Sequence, residues 1–243
     1  MTETLHRTFV FETTNAALWA EDQLPAVSAD VLDRLAETIA LADASARDLV
    51  AMCRGGQPSP VPTAFDILLD NSKPPLVRNN LRLLFGRWLA QHALYDEALD
   101  QLNALQPDQV TDPAGLLFYQ GVCHHRLLQK EPCLTALSRL MENKGKIPKR
   151  YELLAGLMQA DLKPLKTDSL DEVSRMMDDI ERRLGLGRAG KRVRTQEDDV
   201  IAKLDKMIEE MEKQAQQQQA SSSAQGGKQP AKPMEDSQPG GGS

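Results

Sequence analysis

The stretch from Leu83 to Leu105, LLFGRWLAQHALYDEALDQLNAL, decides how this chain folds. Gly86 sits inside an apolar helical run, and a small residue, Ala98, follows twelve positions later in a second run. Glycine in a helix interior costs about 1 kcal/mol relative to alanine. Helix-on-helix packing offers a compensating gain, because a larger side chain at a crossing point would push the two axes apart.

The spacing recurs outward from this stretch. Gly86, Gly121 and Gly156 lie 35 residues apart, each in the first helix of a predicted pair. Ala98 and Cys133, in the second helices, share that interval, as do Leu102 with Leu137 and Leu105 with Leu140. Several matched positions on one period are the signature of a repeat. Gly86, Ala98, Gly121, Cys133 and Gly156 are therefore the expected helix–helix packing positions. The third unit keeps its first helix, but LKPLKTD, residues 162–168, displaces its second.

Helical periodicity predicts elements over 76–92, 95–105, 113–129, 132–142, 149–161 and 168–184, with Thr111 and Asp112 as caps before Pro113. Upstream, Val31, Leu32, Leu35 and Ile39 form an apolar stripe behind Ser28 and Asp30. A short helix follows from Ser45 to the break at Gly55-Gly56. Residues 64–69 read as a helical turn. RTFVFETT, within an N-terminal arm over 1–27, suits a short strand or an irregular segment. The expected class is all-α: a repeat-like domain over 28–185, a basic hinge over 186–194, a long amphipathic helix over 195–219, and a disordered low-complexity tail over 220–243. On the long helix, Ile201, Leu204, Ile208 and Met211 fall at heptad a and d positions, the expected self-association face.

Composition agrees with helices. Of 243 residues, 41% are hydrophobic but only 4% aromatic, which is lean for a sheet protein. A net charge of -6 argues against a nucleic-acid binder. Three widely spaced cysteines are no disulfide framework. No apolar run reaches the length of a membrane span. The start of the chain carries no secretion signal, so a cytoplasmic location is the default expectation, with a periplasmic one if a signal segment lies upstream.

The two-helix units, with small residues in both helices and large apolar residues late in the second, resemble the tetratricopeptide repeat. In the first unit the matching residues are Gly86, Ala98, Leu102 and Leu105; in the second, Gly121, Cys133, Leu137 and Leu140. Leu89 and His124 stand where that motif usually has an aromatic, and a plain stack of helical hairpins suits the same spacing. The segments GRWLAQHALYDEAL, LLFYQGVCHHRLL, RYELLAGLMQADL and MDDIERRLGLGRAGK also resemble a family of uncharacterised planctomycete proteins, across residues 76 to 243. That family brings no established activity. Its members commonly begin with a secretion signal and continue past the Gly/Ser segment, so the chain is expected to be incomplete at both ends.

The tetratricopeptide resemblance implies a peptide groove lined by the first helices. The positions are Asn80, Leu83, Arg87, Ala90 and Gln91; then Gly115, Phe118, Val122, His125 and Arg126; then Arg150, Leu153, Leu157, Ala160 and Asp161. The carboxylate clamp of the chaperone-tail binders is missing. The groove would favour an apolar peptide or helix, with Arg87 and Arg126 as anchors for acid. The alternative is that the chain's own N-terminal helices or last helix fill it.

Other motifs have plain readings. GLGRAG, Gly185 to Gly190, matches the dinucleotide fingerprint in letters, but a charged helix precedes it where a strand is required. It reads as a helix C-cap and hinge. Cys123, His124 and His125 are helix neighbours pointing in different directions, so no metal site is expected. The basic run Arg188, Lys191, Arg192 and Arg194 reads as a solvated linker. No cofactor, catalytic set or nucleic-acid partner is expected. The expected function is a non-catalytic scaffold or adaptor for protein contact, with homo-oligomerisation through 195–219. An exported, envelope-associated subunit of a larger complex is the alternative.

Overall fold

The computed structural model describes residues 31–55 and 64–225, and every regular element in them is helical. The all-α class is as expected. Helix α1 (Val31–Ala42) pairs with α2 (Ala44–Gly55), α3 (Pro75–Gln91) with α4 (Tyr95–Leu102), and α5 (Pro113–Arg126) with α6 (Lys130–Met141). Helix α7 (Lys149–Leu162) follows, then α8 (Leu170–Gly185) paired with α9 (Lys191–Gln225). The arm over 1–27, the caps Ser28 and Asp30, and residues 226–243 lie outside the described residues.

The hairpins stack in one direction. Helix α1 packs on α3, α3 on α5 and α5 on α7, while α2, α4 and α6 each also touch the first helix of the next hairpin. The N-terminal helices thus extend the row, and Asp33 of α1 reaches one expected groove position, Arg87. One apolar core joins α1 to α5, including Leu32, Leu49, Leu81, Leu102 and Leu116. A second joins α5 to α7 through Phe118, Leu137, Leu140, Tyr151 and Leu162.

The expected glycine crossings form in two units and not in the third. A Cβ built on Gly86 would stand 2.6 Å from Leu102 Cδ2, and one on Gly121 would stand 2.4 Å from Leu137 Cδ2. Leu102 and Leu137 are fully buried, so each glycine admits one leucine of the paired helix. Ala98 and Cys133 are fully buried in those same paired helices, and the Cys133 thiol donates to the Gly121 carbonyl at 3.3 Å. A Cβ on Gly156 would meet nothing within 4 Å. Gly156 is therefore no packing position among the described residues, because no second helix lies over it.

The reason lies in the turns. Helices α3 and α5 both end with a left-handed residue, Ala93 (φ 59) and Leu128 (φ 58), again 35 apart. The Leu94 amide donates to the Leu89 carbonyl and Ala93 to Ala90; Gln129 donates to His124 and Leu128 to His125. This double bond pattern closes a helix end and sends the chain straight into the next helix. The residue one period after Leu94 and Gln129 is Pro164, which has no amide hydrogen to give. The third turn does not form, and α8 leaves the row.

Helix α8 pairs instead with α9 over Val173, Ile180, Val193 and Val200, with Leu204 and Met207 packed against them. GLGRAG is the turn between them. Gly187 (φ 72) takes the left-handed position, with Arg188 donating to the Arg183 carbonyl and Gly187 to Leu184. It is a C-cap, as read from the sequence, but no solvated linker follows. Helix α9 begins at Lys191, inside the expected hinge, and continues past the expected end to Gln225.

Candidate interaction site

The expected groove positions fall into three groups. Leu83 and Phe118 are core residues, at 1% and 6% exposure. Phe118 stacks on Tyr151 of α7 with ring centres 4.1 Å apart, so it joins neighbouring hairpins. Asn80 is buried too: its amide donates to the Leu76 carbonyl, and its oxygen accepts from the Thr111 amide and hydroxyl. These side chains hold the row together and do not line an open channel.

The second group is committed to ion pairs or to α8. Arg87 pairs with Asp33, fastening α3 to α1. Val122 is half-buried against both cores. His125 Nε2 lies 2.8 Å from Asp161, which Arg175 of α8 also clamps through two bonds of 2.6 and 2.9 Å. The Arg175 hydrogen bonds, with help from His125, hold the Asp161 carboxyl down to about 2. Arg126 borders a cleft of about 520 Å³ shared with Tyr95, His125, Asp171, Arg175 and Arg182. Helix α8 thus crosses the turn ends of two hairpins and covers part of the face a peptide would need.

The α8 latch is electrostatic. Asp179 is nearly fully buried. Burial works to raise its pKa, but hydrogen bonds from Gln196, Arg183 and Arg182 outweigh it and hold the carboxyl below the usual range. Arg183 bonds Asp179 at 2.7 Å and Asp96 of α4 at 2.5 Å. Arg182 donates to the Ala93 carbonyl at 2.6 Å and lies over the Tyr95 ring. The basic run contributes as well: Arg188 pairs with Glu97, and Arg192 with Asp96 at 2.8 Å. Two of the four charges assigned to a solvated linker are docking contacts, because α4 opens with two adjacent acids.

The third group is open to solvent. Leu153 and Leu157 of α7 are 60% and 65% exposed, with Leu154 and Ala160 beside them. On α9, Ile201, Ile208 and Met211 are exposed, whereas Leu204 turns toward α8. Leu204 is therefore an intramolecular contact, because the seam to α8 follows Val193 and Val200 rather than the predicted a and d stripe.

Reactive groups are quiet. Burial pushes the Cys53, Cys123 and Cys133 thiols up to about 12, so none is a thiolate at neutral pH. Burial also lowers the His124 pKa, against the hydrogen bond that its ring Nδ1 donates to the Gln129 side-chain oxygen. Among the described residues no three His, Cys, Asp or Glu side chains converge as metal ligands. No described helix is long and apolar enough to cross a membrane. No protein-family model matches the chain, and neither a curated protein nor a solved structure shows significant similarity to it.

Proposed function

We propose that this chain is a non-catalytic scaffold or adaptor for protein–protein contact, with a tetratricopeptide-like row of hairpins as its body and α9 as its docking arm. The observation that carries this reading is the overhang of α9. Helix α9 has 35 residues against 16 in α8. At 1.5 Å per residue these are about 52 and 24 Å long. The two run antiparallel, and Lys203 and Lys206 of α9 pair with Asp168, just before the first turn of α8. Beyond Met207, which still packs against the core shared with α8, the arm presents Ile208 and Met211 at 50% and 61% exposure. An amphipathic helix docks by laying such a face into an apolar groove or against another helix.

The test is capture from native extract with the full chain and with an Ile208→Asp, Met211→Asp variant. A protein retained by the wild type and lost by the variant supports the reading. Identical captured sets would overturn it.

A further inference from the structure

We infer that the open face of α7 receives the acidic overhang of α9 from a second copy of this chain. This rests on the adaptor reading and names one partner for it. The first observation is a matter of register. Gly86 and Gly121 each admit a leucine from the following helix, whereas among the described residues no atom lies within 4 Å of a Cβ built on Gly156. Leu153 stands one and two periods after Phe118 and Leu83, which are buried, yet it is exposed. Helix α7 therefore keeps the shape of a first helix without the second helix that would cover it. A glycine with open space above it lets another helix approach closely.

The chain cannot cover this face from its own next helix. One period after Leu137 stands Glu172, a charged residue already bonded to Lys203 at 2.8 Å. Nor can α9 turn back, since it runs as one unbroken helix from Lys191 to Gln225. Its exposed Ile208 and Met211 face solvent in the same molecule in which Leu153 and Leu157 do.

Charge selects the occupant. Residues 139–166, which include α7 and its flanks, hold seven Lys and Arg against three Asp and Glu, in a chain of net charge -6. Two of those acids are already used: Glu152 pairs with Lys144 and Lys149, and Asp161 with Arg175. Lys149 and Arg150 stand at one end of the leucine stripe and Lys163 at the other. The overhang carries Glu209, Glu210 and Glu212, while its Lys213 pairs internally with Glu209. An acidic helix with an isoleucine and a methionine on one side matches a basic-rimmed leucine face with a glycine at its centre. The methionine, unbranched and adaptable, suits the seat that leucine takes in the other units.

The experiment uses the full chain and two variants under light scattering. Gly156→Leu fills the α7 seat at a position where an added Cβ meets no described atom within 4 Å. Ile208→Asp with Met211→Asp removes the apolar side of the arm. Circular dichroism confirms that both keep their helix content. The wild type is expected to dimerise with rising concentration, and each variant alone to be monomeric. Mixing the two is expected to restore a mixed dimer, because one supplies the arm and the other the seat. Three outcomes would overturn the inference. One is a monomeric wild type. Another is a Gly156→Leu dimer beside a monomeric arm variant, meaning that α9 pairs with α9. The last is an arm variant that stays dimeric, meaning that another segment, such as residues 1–30, fills the seat. A monomer that still captures a different protein through Ile208 leaves the adaptor reading in place; a monomer that captures nothing removes both.

Discussion

At the residue scale, three glycines at one interval have two different physical roles. Gly86 is held in place by a distance: Leu102 Cδ2 would lie 2.6 Å from a Cβ there, and Leu102 is fully buried with nowhere to retreat. Overpacking a close-packed site costs about 1–3 kcal/mol, which exceeds the roughly 1 kcal/mol that alanine returns as helix propensity. Gly86→Ala is therefore expected to lower Tm. At Gly156 the clash is missing and only the propensity gain remains, so Gly156→Ala is expected to raise stability by about 1 kcal/mol. Thermal melts of the two variants side by side check both signs. The sequence showed the interval but not this split, because what decides it is whether a leucine from another helix arrives.

At the element scale, the turns matter more than the helices they join. Ala93 and Leu128 hold positive φ without being glycine. An L-residue in that conformation carries a penalty of about 1–2 kcal/mol. Ala93→Gly should thus raise the urea midpoint, opposite to the usual effect of alanine-to-glycine, which glycine's extra freedom in the unfolded chain only partly offsets. A midpoint that falls would mean the Ala93 methyl, packed beside the first core, contributes more than the strain costs. Pro164 was legible in the sequence as part of a displacing segment. Its cause became visible only once Leu94 and Gln129 were seen donating the amide that proline lacks. The boundaries of α9 differ from the sequence expectation for a related reason. The basic residues of the supposed hinge are drawn into order by Asp96 and Glu97, which lie nearly a hundred positions away.

At the scale of the whole molecule, ion pairs fasten α8 across the row, and that makes its docking sensitive to acid. Asp161 joins α5, α7 and α8 through His125 and Arg175. Its folded pKa is about 2 against an ordinary 3.8, so the unfolded chain takes up the proton first as pH falls. The stabilisation is fully present above 3.8 and is lost as pH drops toward 2. Its size is modest, about 1 kcal/mol at most, because the Asp161 side chain is 40% exposed and solvent screens the pair. Asp161→Asn should lessen the dependence of the urea midpoint on pH across this window without abolishing it, because Asp43 and Asp168 are also held down to about 2, and leave it unchanged near neutrality apart from a constant offset. A wild-type slope that survives the substitution undiminished would place the acid sensitivity in another carboxylate.

Local chemistry in the sequence determined the helices, their pairing up to α6, and the two crossings at Gly86 and Gly121. Apolar periodicity, caps and small residues act over a few turns and need no distant partner to be read. The tertiary structure alone decided that Leu83 and Phe118 lie inside the core while Leu153 and Leu157 face water, though all four occupy the same register. Burial depends on which helix comes next in space. A single proline in the third turn sent that helix elsewhere, to be held by arginines whose partners the chain order does not reveal.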